Sequence, residues 1–261
     1  MIRVGVGGWT YEPWKDNFYP AGLSAAKELG FASRALRAIE VNGTFYSTFK
    51  PPTFRKWAGE TPDDFVFTLK ANRFAVNRKV LGSAAESVER FLGSGVEELG
   101  PKLGPILWQL AGTKKFDAED IAAFLKLLPA KLGKLKLRHA LEARHESFRT
   151  PAFVALAKKH NVAIVYADDD KYPAFADLTA DFVYARLQDT DAKYKNGYAP
   201  KALDRWAAVA KAWAAGEAPP DLAYADKPIS DGKARDVFIF MIAGAKEKNP
   251  AAAMALQARV G

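Results

Sequence analysis

Short apolar runs alternate with longer segments of helical apolar spacing along the whole chain. The strand-like runs lie at residues 2–8, 38–42, 65–70, 105–110, 139–143, 162–168, 181–187 and 222–224. Helical spacing is found at residues 24–36, 52–58, 84–99, 118–128, 151–159, 200–215 and 233–245, with a final alanine-rich helix at 250–260. Several runs are almost continuously apolar, which is typical of strands covered on both faces.

This alternation predicts an α/β fold built from eight strand–helix units, the (β/α)₈ TIM barrel. Strands separated by long helical segments pair in parallel through right-handed crossovers. A doubly wound open sheet is the alternative fold. Residues 169–180, which include Pro173, are too few for a full helix with its loops, so we expect a shortened crossover between strands six and seven. The length is common for one barrel, and we expect residues 1–261 to form a single domain.

Charged or amide side chains end six of the predicted strands. They are Glu40 and Asn42, Lys70, Gln109, Glu142 and Arg144, Asp168, and Arg186. Because the carboxyl ends of barrel strands lie on one face, the active face of such folds, these side chains predict one mixed carboxylate and cation pocket at the barrel mouth.

Composition narrows the chemistry that this pocket can have. The 261 residues include no cysteine, which excludes disulfides, thiolate metal sites, iron–sulfur clusters and cysteine nucleophiles. The net charge of +8 fits a basic surface and equally fits attraction to an anionic small molecule or to nucleic acid. There is no run of 18 apolar residues and no signal-peptide pattern, so we expect a cytoplasmic protein without a membrane partner.

An ordered set of motifs resembles the YecE-like family, a bacterial and archaeal group of unknown function. The motifs are GVGGWTYEPWKDNFYP, AIEVNGTFYS, ETPDDFVFTLKANRF, LGPILWQL, ALEARHESF, DFVYARL and LDRWAAVAKAW. The resemblance implies a TIM barrel, and the fold analogy with endonuclease-IV-like barrels suggests nucleic-acid binding. Many members carry an aromatic-Asn-Asn segment at the end of the last strand, and here we expect Asp226-Lys227-Pro228 near that place.

Glu40 and Glu142 are the first candidates for catalysis. Two carboxylates facing each other across the mouth would raise one pKa and give an acid and a base. The alternative is that cations neutralise them, Arg186 for Glu40 and Arg144 or Lys70 for Glu142. His145 lies just past the fifth strand and is the candidate acid–base imidazole. His139 and His160 lie at the opposite end of a strand and at the end of a helix, where structural roles are expected.

The remaining candidates are ligand-binding residues. Lys70, Arg144 and Arg186 would hold an anion, and Asn42, Gln109 and Asp168 would add polar contacts. Trp9 and Tyr11 in the first loop would stack on a sugar or base, or else only pack the loop. The run Asp168–Asp170 fits a magnesium site less well than a solvated turn, so we predict neither a metal nor another cofactor.

The sequence therefore favours an enzyme that binds an anionic or polar small molecule, a hydrolase or another acid–base enzyme. A nucleic-acid-binding barrel and a barrel without catalytic activity are the alternatives. The oligomeric state is left open.

Overall fold

Nine parallel strands form the main sheet of the computed structural model, which describes all 261 residues. They are β1 (Ile2–Gly7), β2 (Ala38–Val41), β3 (Val66–Lys70), β4 (Leu103–Gln109), β7 (His139–Glu142), β8 (Val162–Ile164), β9 (Tyr166–Asp168), β10 (Phe182–Leu187) and β11 (Asp236–Met241). Two short strands, β5 (Lys131–Leu132) and β6 (Leu135–Lys136), form a separate antiparallel hairpin.

The sheet closes into a barrel through one interrupted strand. Its order is β8-β7-β4-β3-β2-β1-β11-β10-β9, so β8 and β9 are the two ends. These two strands are separated in the chain only by Val165. β8 pairs with β7 and β9 pairs with β10, so the segment from Val162 to Asp168 joins both ends. The result is the eight-stranded TIM barrel that the sequence predicts.

The helices surround this barrel. They are α1 (Ala25–Ala35), α2 (Gly43–Tyr46), α3 (Pro51–Glu60), α4 (Arg73–Val76), α5 (Ala85–Leu92), α6 (Ala118–Lys126), α7 (Pro151–Lys159), α8 (Pro200–Ala214) and α9 (Asn249–Val260). Proline stands in the first turn of α3, α7, α8 and α9, where its missing N–H has no intrahelical partner to lose. Residues 169–180 contain neither helix nor strand, so the shortened crossover is confirmed.

The eighth strand was placed wrongly by the sequence pattern. Residues 222–224 contain no strand, and the region predicted as a helix at 233–245 contains strand β11. All of β11 except its first residue is buried, with Phe238 inside the barrel cluster and Val237 in the outer core. A strand buried on both faces is apolar at every position, so it also satisfies helical spacing, and periodicity cannot separate the two.

The residues at the end of the last strand are therefore not those expected from the family resemblance. The last strand ends at Phe240-Met241, followed by Ile242, so two apolar residues follow the aromatic residue. Asp226, Lys227 and Pro228 lie instead in the connection between α8 and β11. The two residues that follow the aromatic residue at the end of the last strand are therefore Met241 and Ile242, and neither is an amide.

The barrel interior is apolar at its centre and polar at its carboxyl end. Alternate strand positions form a buried interior cluster that includes Val66, Leu107, Tyr184 and Phe238. Gly5 permits the close approach of β1 to β2, since a Cβ there would lie 1.9 Å from the Ala38 carbonyl oxygen. The outward side chains pack against the helices in a second, larger cluster. None of the helices combines the length and hydropathy that a membrane span requires.

Candidate functional site at the barrel mouth

Arg186 is the centre of a buried ion network at the carboxyl end of the barrel. It lies on β10 and is 2% exposed. Its Nε and Nη2 donate to the two carboxylate oxygens of Glu40, at 3.0 and 3.1 Å. Its Nη1 donates to Glu142 Oε2 at 2.9 Å. One guanidinium therefore joins β2, β7 and β10 across the mouth.

Further donors complete the coordination of the two carboxylates. Glu142 accepts from Gln109 Nε2 at 2.9 Å and from Arg144 Nε at 2.6 Å. Glu40 accepts from Asn42 Nδ2 at 3.1 Å. The network thus contains six of the residues expected from strand ends, which are Glu40, Asn42, Gln109, Glu142, Arg144 and Arg186.

Tyr184 belongs to the network although the sequence did not single it out. Its hydroxyl donates to Glu40 Oε2 at 2.7 Å and lies 3.0 Å from Thr68 Oγ1. Burial and the Glu40 carboxylate raise the pKa of Tyr184 well above its usual value, so it stays protonated as a donor. The sequence could have indicated this role, because Tyr184 stands two residues before Arg186 and alternation places both side chains on the same side of β10.

Glu142 is held in its ionised form, so it is not a carboxylate whose pKa a like-charged neighbour raises. Burial alone would raise the pKa of Glu142, but Arg186 and Arg144 more than offset it and hold the pKa below its usual range. In turn, Glu142 and Glu40 raise the pKa of Arg186 in spite of its burial. The two arginines therefore neutralise the two glutamates, the alternative considered from the sequence.

Lys70 is the remaining charge at the mouth. It ends β3, is buried, and has neither a carboxylate within ion-pair distance nor a side-chain hydrogen bond of its own. Its Nζ lies 4.4 Å from the ring centroid of Phe45. Burial, reinforced by the Arg186 guanidinium, lowers the pKa of Lys70 to about 8. At neutral pH the Lys70 ammonium is therefore mostly protonated, but it loses its proton at a pH only slightly higher.

Asp168 lies apart from this network. Tyr166, two residues earlier, packs at a tilt against the Trp206 and Trp213 rings of α8, so the side of the strand that carries Tyr166 and Asp168 faces the helices. Asp168 therefore does not join the network at the barrel mouth, because Ala163 and Val165, at the alternate positions of this segment, occupy the interior cluster. The run AIVYAD is apolar on both faces, so its polarity gave no indication of which face points inward.

Asp168 instead lines an acidic recess of about 270 Å³ together with Asp169, Asp170 and Asp189. Burial and Asp189 raise the pKa of Asp168. Asp169 Oδ1 accepts from the backbone N–H of Lys171 at 2.7 Å, as in a turn. No group of three His, Asp or Glu side chains is placed to hold a metal ion.

The histidines have structural contacts. His145 caps the short helix Glu146–Phe148, its Nδ1 accepting from the Ser147 N–H at 3.1 Å, and it makes no hydrogen bond to the carboxylates. His139 lies at the amino end of β7, where Trp108 Nε1 donates to its Nδ1. His160 follows the last turn of α7.

An aromatic cavity and a basic cleft flank the ion network. The aromatic cavity, of about 590 Å³, is lined by Trp9, Asn42, Tyr46, Phe49, Trp57 and Lys246 among others. Tyr11 lies outside it and packs edge-on against Trp14. The basic cleft, of about 550 Å³, is lined by residues that come after β3 and β4 in the chain. They include Arg78, Lys79, Lys114 and Lys115. A further cavity of about 440 Å³, near Asn161 and Arg235, lies at the opposite end of the barrel.

Fold and site together define a TIM-barrel protein with a buried ion network at its carboxyl face. The sequence matches the family described as Protein of unknown function DUF72 over residues 3–261, and the chain belongs to this family.

Known relatives agree with this assignment. The UPF0759 protein YunF of Bacillus subtilis is 27% identical over 158 residues, which cover 59% of this chain and 54% of YunF, so the match spans about half of that relative's length. A DUF72 family protein from Thermotoga maritima superposes with a TM-score of 0.70 at 20% identity, covering 98% of this chain and 97% of the other. One from Enterococcus faecalis gives 0.72 at 17% identity, covering 100% and 95%. These structures show the shared fold.

Proposed function

We propose that the protein is an enzyme that binds a small anionic ligand at the barrel mouth, with Lys70 as its anchor. The supporting observation is the charge balance of the pocket. Arg186 and Arg144 are committed to Glu40 and Glu142, and Lys70 has no carboxylate partner. A buried cation without a partner is costly, and an anionic ligand would supply the missing counter-charge.

Lys70 is also the best acid–base group in the pocket. Glu142 is held ionised by two arginines, so it does not donate a proton at neutral pH. An amine with a pKa of about 8 exchanges its proton near physiological pH, which is where general acid–base catalysis is most effective. In this proposal the carboxylates orient Arg186 and the pocket wall, and Lys70 transfers the proton.

Calorimetric titration with inorganic phosphate tests the anchor. We expect binding at pH 7 that weakens as the pH rises above about 8, because Lys70 then loses its charge. Lys70→Met should abolish this binding, whereas Lys126→Met, at the far end of α6, should leave it unchanged. Equal phosphate affinity in wild type and Lys70→Met would refute the proposal.

The basic cleft favours nucleic-acid binding as a second candidate function. Arg78, Lys79 and Lys115 have no carboxylate within ion-pair distance, and only Lys114 is paired, with Asp120. Such a cleft would attract a phosphate backbone, and the affinity would fall steeply with salt as counterions are released. A fluorescently labelled single-stranded oligonucleotide that fails to bind even at low ionic strength would eliminate this candidate.

A further inference from the structure

The aromatic cavity beside the ion network has the properties of a ligand subsite. It opens at the carboxyl ends of β1, β2 and β11, on the face where barrel enzymes bind their substrates. Its volume of about 590 Å³ falls in the range of small-molecule sites. We propose that this cavity holds an aromatic ring of the ligand whose anionic group binds Lys70. This inference rests on the proposed function and names its substrate class, an aryl or heteroaryl anion.

The walls of the cavity are rigid aromatic surfaces. The Trp57 ring packs edge-on against Trp9, with centroids 5.2 Å apart, and against Phe49 at 5.1 Å. Tyr46 remains 65% exposed, although a large aromatic side chain is usually covered. A flat ring that enters the cavity would contact the Trp9, Phe49 and Trp57 rings, which pack on one another, so little ordering of these three side chains opposes its binding.

Helix α2 connects this cavity to Lys70. The Tyr46 ring lies 5.0 Å from that of Phe45, and Phe45 lies 4.4 Å from Lys70 Nζ. Tyr46 and Lys70 Nζ are therefore no farther apart than the sum of these distances, a span that one substituted ring can cover. Asn42, just before α2, lines the cavity and also donates to Glu40.

The charge of the cavity also selects an anion. No aspartate or glutamate lines it, and its one charged residue is Lys246. Lys246 has no carboxylate within ion-pair distance, and its Nζ lies 5.7 Å from the Tyr11 ring centroid. A ring with a negative substituent therefore meets the Lys246 cation in the cavity and no carboxylate that would repel it.

Two phosphonates that differ only in the ring provide the test. Methylphosphonate and phenylphosphonate are titrated calorimetrically into the wild type at pH 7. We expect phenylphosphonate to bind about tenfold more tightly, as stacking on aromatic side chains predicts. Tyr46→Ala should remove several-fold of that advantage and leave methylphosphonate affinity unchanged. Phe74→Ala, which truncates a similarly exposed ring on α4 outside the cavity, is the matched control.

A second variant fills the cavity instead of removing a wall. A Cβ on Gly43 would meet the Phe49 ring at 3.4 Å, so Gly43→Leu should exclude phenylphosphonate while methylphosphonate still binds. Equal affinities of the two phosphonates, with both lost in Lys70→Met, would overturn this inference and leave the proposed anion site standing. No binding of either phosphonate at pH 7 would overturn both.

Discussion

At the scale of single residues, the ion network and Lys70 place five charged side chains at the mouth of the barrel. Four of them form ion pairs with one another, and Lys70 has no partner of opposite charge. Two carboxylates share one buried guanidinium, and a second arginine covers Glu142 from outside. Buried ion pairs stabilise a fold only while every member keeps its partner. Removing a member of the network and removing Lys70 should therefore have opposite effects on stability.

Glu142→Gln should destabilise the protein by about 3–5 kcal/mol, because Arg144 then loses its carboxylate partner and Arg186 keeps only that of Glu40. Urea unfolding measures the change. Glu146→Gln is the control, since its ion pair with Arg149 is exposed and should contribute little. A Glu142→Gln variant as stable as wild type would show that the network does not support the fold.

Lys70→Met should make the folded protein more stable at pH 7, by an amount on the order of 2–3 kcal/mol. The folded pKa of about 8 lies below the ordinary value of 10.5, so the unfolded chain binds the extra proton between these two pH values. Wild-type stability should rise with pH across that window, and the advantage of the variant should shrink. Free energies of unfolding measured at pH 7 and pH 10 check the sign, and a less stable variant at pH 7 would contradict it.

At the scale of elements, the barrel depends on close strand contacts and on one strand made of two parts. β8 and β9 each pair with a different neighbour, and the break at Val165 lets one segment close the sheet. On the other side, β1 approaches β2 so closely that only glycine fits at residue 5. The site depends on both contacts, because Glu40 and Arg186 lie on strands that these pairings hold in register.

Gly5→Ala should destabilise the protein by about 1–3 kcal/mol or more, because the added methyl would overlap the Ala38 carbonyl and force β1 away from β2. Gly59→Ala is the matched control. Residue 59 lies in α3 with no atom within 4 Å of the added Cβ, so alanine should stabilise the helix by about 0.5–1 kcal/mol. Thermal melts of both variants decide the matter, and a neutral Gly5→Ala would show that the strands can separate without cost.

At the scale of the whole molecule, the ends of the chain meet and the network spans the barrel. Strand β1 pairs with β11, and the terminal helix α9 hydrogen-bonds to β1 through Gln257 Oε1 and Val4 N at 2.9 Å. Arg186 joins three strands that are far apart in sequence. Because these contacts join the two ends of the chain and three distant strands, the sheet closes into a barrel only when the whole chain is folded.

We therefore expect the chain to unfold as one cooperative unit, as a single domain does. Differential scanning calorimetry should give one transition whose calorimetric and van't Hoff enthalpies agree. Two resolved transitions, or a stable fragment lacking α9 after limited proteolysis, would show that the barrel is built from separable parts.

Much of the fold could be predicted from local sequence, and so could most of the residues at the mouth. Thr150 and Pro151 begin α7 where a capping side chain and an N-terminal proline predict it. Lys70, Gln109 and Glu142 each follow an apolar run, which placed them at strand ends. The eighth strand was missed and Asp168 was misplaced because runs that are apolar on both faces contain no directional signal.

The sequence by itself determined the class of fold, the polar character of the strand ends and the absence of thiol chemistry. Each of these depends on residue type and spacing along a single segment. Only the tertiary structure decided that Arg186 neutralises both glutamates, that Tyr184 joins them, and that Lys70 lacks a partner beside an aromatic cavity. Ionisation and pairing depend on distances between strands that lie more than 100 residues apart in the chain, as Glu40 and Arg186 do, and such distances are fixed only when the barrel closes.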